Sequence, residues 1–130
     1  MTRAELKAAA VAMLDRAYVP YSHFPVGAAL ECRDGTVFTG CNVENASYPA
    51  GLCAERNAIF HAVAEGHTDF VRIVVAGRSE EACVPCGVCR QVMREFAPKL
   101  EIICLNGAGE ETVYTLEELL PHSFGPEFLA

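Results

Sequence analysis

Two short cysteine motifs constrain this chain more than any other feature of its sequence. Cys53-Ala-Glu55 comes first, and Pro85-Cys86-Gly-Val-Cys89 follows later in the chain. Three thiolates can hold one zinc ion, and zinc with only three protein ligands keeps one coordination position for water. Bound zinc lowers the pKa of such a water from about 15.7 to near 7. Because Glu55 is placed to accept that proton, the motifs predict a catalytic zinc site, which requires two distant segments to fold together.

The remaining cysteines leave one ambiguity. Cys83-Val-Pro-Cys86 overlaps the second motif, so the segment contains two Cys-x-x-Cys pairs, and spacing alone does not decide which pair binds metal. Cys32, Cys41 and Cys104 lie in apolar, strand-like stretches, where free cysteine packs as a small hydrophobe. The total of seven cysteines is odd and no secretion signal is present, which favours metal binding over a disulfide framework.

Charge and composition exclude several classes of function. The net charge is −7, and the only lysines are Lys7 and Lys99. Nucleic-acid binding depends largely on basic side chains that neutralise phosphates, so a small neutral substrate fits better than DNA or RNA. No apolar run approaches the ~18 residues of a membrane span, and Arg3 and Glu5 interrupt any signal-peptide pattern. We therefore expect a cytoplasmic protein without a membrane partner, folded as one domain over residues 1–130.

Hydrophobic periodicity predicts strands that alternate with helices. A capping box at Thr2 and Glu5 begins a helix whose apolar positions extend to Ala17, and a second capping box begins a short helix at Thr115. The other helices are predicted over 53–65 and 86–96. Strands are predicted over 26–32, 37–41, 70–77, 100–105 and, as a short one, 112–114, with a hairpin turn at Asp34-Gly35 between the first two. This order predicts a three-layer α/β/α sandwich with a mixed, mostly five-stranded central sheet.

Both cysteine motifs fall at predicted helix N-termini. A helix N-terminus carries partial positive charge and free N–H groups, which favour thiolate over thiol. Cys86 and Cys89 are three residues apart and can share one face of a first turn. Cys53 and Glu55 would not share a face inside a regular helix, so Cys53 must lie at the cap with Glu55 reaching across.

Two arginines follow motif residues and could compensate the charge of the thiolates. Three thiolates and one Zn²⁺ carry a net charge of −1, which weakens the acidification of water, and a guanidinium bonded to a thiolate would offset it. We favour Arg56 for this role over Arg90, because Cys86 and Cys89 already flank the region that Arg90 would serve. The four histidines have no metal-ligand spacing and are expected to be solvated or structural.

Four segments, taken in order, resemble the small homotetrameric cytidine deaminases. They are residues 17–30 (AYVPYSHFPVGAAL), 40–48 (GCNVENASY), 53–56 (CAER) and 85–91 (PCGVCRQ). The resemblance covers nearly the whole chain, and Cys-Ala-Glu followed by Pro-Cys-x-x-Cys is a form of the zinc deaminase signature. It implies hydrolysis of cytidine and 2′-deoxycytidine to uridine and 2′-deoxyuridine with release of ammonia.

The resemblance also implies a role for each site residue. Cys53, Cys86 and Cys89 hold one Zn²⁺ per subunit, and Glu55 moves the protons. The substrate contacts that it implies are Phe24 against the pyrimidine ring, Asn42 and Glu44 on the ribose hydroxyls, and the backbone of Ala54 on the base. It further implies a homotetramer in which three residues complete a neighbouring subunit's site: Ala46, Tyr48 and Phe124.

Three alternatives remain open on the sequence. An aminonucleoside-antibiotic deaminase of the blasticidin type shares both cysteine motifs, although the Phe24 segment and residues 42–48 favour cytidine. A structural zinc module that binds a partner would have a zinc ion closed by four protein ligands. A nucleic-acid editor is disfavoured by the negative charge.

Overall fold

Five strands form one mixed sheet in the order β2-β1-β3-β4-β5. The computed structural model describes every residue from Met1 to Ala130. The strands are β1 (Gly27–Cys32), β2 (Val37–Cys41), β3 (Phe70–Ala76), β4 (Glu101–Leu105) and β5 (Glu111–Thr115). The helices are α1 (Arg3–Ala12), α2 (Ala54–Ala64), α3 (Gly87–Phe96) and α4 (Leu116–Leu119), and short 3-10 turns cover Met13–Arg16, Tyr48–Ala50 and Pro126–Phe128. No helix has the length and apolar character that crossing a membrane requires.

Turn chemistry and connection length explain the strand directions. β1 and β2 pair antiparallel, with Gly27 opposite Cys41. Gly35 has a positive φ of 91° at their turn, and the Asp34 carboxylate accepts the Thr36 N–H at 2.9 Å. β3 and β4 pair parallel, as a strand–helix–strand crossover through α3 allows. The predicted hairpin and the mixed sheet are therefore confirmed.

Side chains alternate between the two faces of the sheet, and each face is covered by helices. On one face, Leu6 and Ala10 of α1 pack in a cluster with Ala29, Val74 and Ile103. On the other face, α2 and α3 contribute to a larger cluster of eighteen buried residues. That cluster includes Leu30, Ile59, Ile73, Met93 and Ile102. Neighbouring strand residues such as Ala29 and Leu30 serve opposite layers, as a strand's period of two requires, and the predicted three-layer sandwich is confirmed.

The helix boundaries differ from the predictions at the first helix. Both capping boxes are formed, at Thr2 with Glu5 and at Thr115 with Glu118. The helical pattern predicted as far as Ala17 is wrong beyond Ala12, because the chain tightens into a 3-10 turn there. Tyr18 N–H then donates to the Asn42 carbonyl at 3.0 Å. A continued helix could not make this extended pairing.

A glycine lets a helix approach the sheet closely on each face. A Cβ at Gly27 would overlap the Ala10 carbonyl of α1. A Cβ at Gly40 would lie 2.5 Å from the Ala54 carbonyl oxygen and 2.6 Å from the Ala58 nitrogen, both in α2. Because Ala54 directly follows Cys53, the absence of a side chain at Gly40 fixes the position of the first motif.

We predict that Gly40→Ala destabilises the fold by about 1–3 kcal/mol, since overpacking must displace α2 or β2. The free energy of unfolding, measured by urea denaturation at equal zinc loading, tests this. The matched control is Gly87→Ala, where a Cβ meets nothing within 4 Å, and which should leave stability unchanged or slightly higher. Equal stability of Gly40→Ala and the unsubstituted chain would show that α2 can move away without cost.

Candidate active site

Two helix N-termini meet and bring three sulfur atoms together. Cys53 is the N-cap of α2 and Cys86 is the N-cap of α3, both in extended backbone conformations. Cys89 lies in the first turn of α3 and is fully buried. The three Sγ atoms all lie within 4.8 Å of one another. The structure thus places Cys53 at the cap, as the sequence predicted, and both helix dipoles favour thiolates at this point.

The donor set and its spacing fit zinc. Two sulfurs bound to one tetrahedral ion at about 2.3 Å each lie about 3.8 Å apart. The Sγ atoms of Cys53 and Cys86 are 3.8 Å apart. Three thiolate sulfurs are soft ligands that suit zinc, and the group contains no fourth Cys, His, Asp or Glu. These three cysteines could therefore hold a zinc ion with one coordination position left for a non-protein ligand.

Hydrogen bonds to Cys53 favour its thiolate. Hydrogen bonds from the Cys89 thiol and, to a smaller extent, from the Arg56 guanidinium lower the pKa of Cys53, and the same sulfur–sulfur hydrogen bond raises the pKa of Cys89. Arg56 Nη2 donates to Cys53 Sγ at 3.2 Å. Arg90 instead donates to the backbone carbonyls of Pro85 at 2.7 Å and Leu119 at 2.8 Å. The geometry therefore agrees with the preference for Arg56 over Arg90 as the partner of the sulfurs.

Glu55 is a buried carboxyl beside the sulfur cluster. It is only 4% exposed, although it lies in the first turn of α2. Burial, together with the negative charge of Cys53, raises the pKa of Glu55 to about 7. A carboxyl with such a pKa can accept and donate a proton at neutral pH, which general acid–base chemistry requires.

A cleft of about 460 Å³ opens beside Cys53 and Arg56. Its volume lies within the range of about 300–1,000 Å³ that is common for small-molecule sites. Asn42, Glu44 and Tyr48 also line it. The cleft therefore joins the segments in which the sequence predicted the metal and the sugar contacts.

Backbone pairing connects those segments. Val43 and Leu52 exchange two backbone hydrogen bonds, of 3.0 and 2.9 Å, and Glu44 N–H donates to the Tyr18 carbonyl at 2.9 Å. Leu52 directly precedes Cys53. The strip 42–44 is thus paired on one side with the loop that carries Phe24 and on the other with the start of the metal motif.

The Asn42 side chain hydrogen-bonds the backbone at Phe24 and at Val26. Its Oδ1 accepts the Val26 N–H at 2.8 Å, and its Nδ2 donates to the Phe24 carbonyl at 2.9 Å. An asparagine amide has two N–H donors and two acceptor lone pairs, so one of each stays available to a ligand. Asn42 can therefore shape the loop and bind a hydroxyl at the same time.

Glu44 is held by a residue that the sequence analysis did not identify. Its carboxylate accepts the backbone N–H groups of Tyr21 and Ser22 at 3.1 Å each, and the Ser22 hydroxyl donates to it as well. The Ser22 hydrogen bonds lower the pKa of Glu44. A carboxylate has about four acceptor sites, so roughly one remains for a ligand. The signal for Ser22 was its position two residues before Phe24, where its hydroxyl closes a turn on the Phe24 N–H at 3.0 Å.

The other predicted substrate residues fall into two groups. Ala54 is fully buried in the first turn of α2. Phe24, Ala46, Tyr48 and Phe124 are exposed, and Tyr48 retains 78% of its surface. Phe124 lines a different cleft, with Gln91 and Leu129, rather than the cleft beside Cys53. The single chain thus brings the sugar and metal segments together but does not bring Phe124 to them.

Cys83 lies outside the three-sulfur cluster. It is partly buried against the larger core cluster of eighteen residues, near Gly77, and burial raises the pKa of its thiol to about 11. Cys32, Cys41 and Cys104 are buried, as expected for core positions, and the four histidines lie outside the cluster as well. Of the two overlapping Cys-x-x-Cys pairs, the structure therefore assembles the second, Cys86 and Cys89.

Comparisons with known proteins show which family this chain resembles. Residues 1–105 match the family model described as the cytidine and deoxycytidylate deaminase zinc-binding region. The cytidine deaminase of Halalkalibacterium halodurans is 46% identical over 128 residues, which is 98% of this chain and 97% of that protein. The cytidine deaminase of Sporosarcina psychrophila is 44% identical over 89% of this chain and 86% of that protein. A crystal structure of cytidine deaminase from Burkholderia pseudomallei superposes with a TM-score of 0.91 at 49% identity, covering 95% of this chain and 100% of that one.

We predict that Cys83→Ser keeps one zinc ion per chain, whereas Cys89→Ser loses zinc. The serine hydroxyl is a poor zinc ligand, and only Cys89 belongs to the three-sulfur cluster. Zinc content after dialysis against a chelator, measured by elemental analysis, separates the two variants. Loss of zinc from Cys83→Ser with retention in Cys89→Ser would assign the metal to the first Cys-x-x-Cys pair.

Proposed function

We propose, because this chain belongs to the cytidine and deoxycytidylate deaminase family, that it hydrolyses cytidine and 2′-deoxycytidine to uridine and 2′-deoxyuridine. Ammonia leaves in the reaction, which serves pyrimidine salvage. The observation that carries the proposal is the buried Glu55 carboxyl placed beside three converging sulfur atoms. Residues 1–130 act as one catalytic domain in this proposal.

Cys53, Cys86 and Cys89 would hold the zinc ion. Bound zinc supplies an acidified water, whose pKa falls to near 7 in such sites. Arg56, bonded to Cys53 Sγ at 3.2 Å, offsets the excess negative charge of three thiolates. This compensation keeps the site from becoming too electron-rich to acidify water.

Glu55 moves the protons of the reaction. It accepts a proton from the attacking water and delivers one to ring N3, which makes C4 more electrophilic. The water oxygen bonds to C4 and becomes a C4 hydroxyl. Glu55 then takes the proton of that hydroxyl and carries it to the exocyclic amino group, so the C4–N bond breaks, the C4 carbonyl forms and ammonia leaves. The dry surroundings of Glu55 support this alternation, because burial raises its pKa to about 7.

The cleft beside Cys53 suits a nucleoside. The remaining acceptor site on Glu44 and the free donor and acceptor sites on Asn42 would bind the ribose hydroxyls. The Phe24 ring would pack against the pyrimidine, and the backbone of Ala54 would contact the base. Because Asn42 bonds the Phe24 carbonyl at 2.9 Å, the positions of the sugar contact and the base contact are linked.

The proposed assembly is a homotetramer in which sites are shared. Ala46, Tyr48 and Phe124 would complete a neighbouring subunit's site. The position of Phe124 supports this, because its ring is 56% exposed and lines a cleft away from Cys53 of its own chain; Tyr48 is 78% exposed. The protein would act in the cytoplasm, where its seven free cysteines stay reduced, and its acidic balance gives nucleic acid no basic surface to bind.

We predict that Glu55→Gln lowers turnover of cytidine by at least about 10²–10⁴-fold, because the amide cannot accept a proton. Zinc content should stay at one ion per chain. The assay follows the ultraviolet change from cytidine to uridine, with blasticidin S as a second substrate. Glu65→Gln, at the exposed C-terminal end of α2, is the matched control and should retain full activity. Near-normal turnover by Glu55→Gln would remove the proton-transfer role, and faster turnover of blasticidin S would reassign the substrate.

We predict that Glu55→Gln and Phe124→Ala chains complement each other when co-expressed. In a mixed tetramer, some sites would take Glu55 from one chain and Phe124 from another, so both residues would be intact. Activity per zinc should then exceed that of either variant alone, provided that Phe124→Ala is impaired on its own. If mixing recovers nothing, Phe124 serves the site of its own chain.

A further inference from the structure

Hydrogen bonds attach the backbone around Phe124 to α3, the helix that carries Cys86 and Cys89. Gln91 Nε2 donates to the Phe124 carbonyl at 2.9 Å. Arg94 Nε donates to the Ser123 hydroxyl at 2.8 Å, and Arg94 Nη2 pairs with the Glu127 carboxylate. Gln91 and Arg94 are three residues apart on α3 and share one face of it. Two side chains of the metal-binding helix therefore hold the C-terminal segment at three points.

Gly125 lets this segment lie directly against the guanidinium. A Cβ at Gly125 would lie 2.5 Å from Arg94 Cζ and Nη1. The Arg94 side chain is only 15% exposed, whereas that of Arg33, in its ion pair with Asp69, is 68% exposed. Arg94 is thus enclosed by the segment that it binds, unlike an ordinary surface arginine.

The backbone is strained where it turns onto α3. His122 has a φ of 52°, in the left-handed region that non-glycine residues rarely adopt. The only other such residue is His23, with a φ of 56°, directly before Phe24. Strain of this kind persists when surrounding contacts over-determine the conformation, and it concentrates at functional sites. Near Phe124, Gln91 and Arg94 supply those contacts.

The ring of Phe124 does not fix its own position. It is 56% exposed, and its aromatic partner is Phe128, with ring centroids 5.1 Å apart. Phe128 is itself 64% exposed. Without fixed backbone contacts, residues 122–130 would sample many conformations, and a ligand would have to offset the entropy of ordering them.

We propose that Gln91 and Arg94 are positioning residues, which set where Phe124 presents its ring to the nucleoside site. This inference rests on the proposed function and on the role given there to Phe124. Neither residue touches substrate; each acts through the backbone or side chains of Ser123, Phe124 and Glu127. Through these contacts α3, which carries Cys86 and Cys89, also determines where Phe124 lies at the nucleoside site.

The test uses Gln91→Met, which keeps the side-chain length, and Arg94→Met, which keeps only the aliphatic stem; both remove the hydrogen-bond donors. Each is measured alone and combined with Phe124→Ala in the zinc-loaded protein. We expect kcat/KM for cytidine to fall about tenfold for each single variant, chiefly through KM, with zinc content unchanged. In the Phe124→Ala background the same changes should cost nothing further. Arg33→Met removes an arginine from an exposed ion pair and should leave the kinetics unaltered.

Two outcomes would overturn the proposal. If the losses multiply in the Phe124→Ala background, or if zinc is lost, the two side chains serve α3 rather than Phe124. Arg94→Lys separates charge from geometry: it keeps the attraction to Glu127 but lacks the Nε–H that donates to Ser123. It should therefore recover only part of the loss in kcat/KM, and full recovery would contradict the role of the Ser123 contact.

Amide hydrogen exchange tests, without reference to activity, whether Gln91 and Arg94 hold the C-terminal segment in place. Exchange over residues 122–130 should quicken in Gln91→Met and Arg94→Met but not in Arg33→Met. Unchanged exchange would overturn the positioning role, whatever the kinetics. If the unsubstituted chain failed to convert cytidine while exchange responded as expected, the proposed function would fail and the fastening of the segment would stand.

Discussion

The site depends on the approach of two helix N-termini, at Cys53 and Cys86, to within the reach of one metal ion. Each N-terminus carries a partial positive charge, so the two would repel each other if nothing anionic lay between them. Thiolates supply that negative charge, and then repel one another. Two of the sulfurs lie 3.8 Å apart; the Arg56 guanidinium offsets part of their repulsion, and a divalent metal bound between them would offset the rest. The sheet makes the meeting possible, because α2 can approach β2 over Gly40.

The same electrostatics connect the three-sulfur cluster to the buried carboxyl of Glu55. Glu55 is buried two residues from Cys53, and burial together with the neighbouring thiolate raises its pKa to about 7. A solvated first-turn carboxylate would be stabilised as an anion by the helix N-terminus and would be a poor proton donor. Desolvation outweighs the helix dipole here, so the position of Glu55 in the packed interior decides its chemistry.

Local patterns predicted most of the fold and the metal cluster. The capping boxes at Thr2 and Thr115, the turn at Asp34-Gly35 and each of the two cysteine motifs are signals that span only a few residues. Spacing alone could not decide which Cys-x-x-Cys pair assembles, because the answer depends on where α3 begins relative to α2; the family resemblance pointed to Cys86 and Cys89. The sequence analysis also missed the hydrogen bonds that hold Glu44 and Phe124. Ser22 lies 22 residues from Glu44 and Gln91 lies 33 residues from Phe124, so these contacts form only after folding.

The same kind of hydrogen bond holds the backbone at Phe24 and at Phe124, on different parts of the fold. In each case a side-chain amide donates to the phenylalanine carbonyl at 2.9 Å, and a strained histidine lies one or two residues earlier in the chain. Both backbones are therefore fixed, while the rings stay 47% and 56% exposed. Ordering an exposed aromatic ring is favourable only when another surface then buries it. In the proposed assembly that surface is the nucleoside together with a neighbouring subunit, so the chain prepares aromatic walls that binding completes.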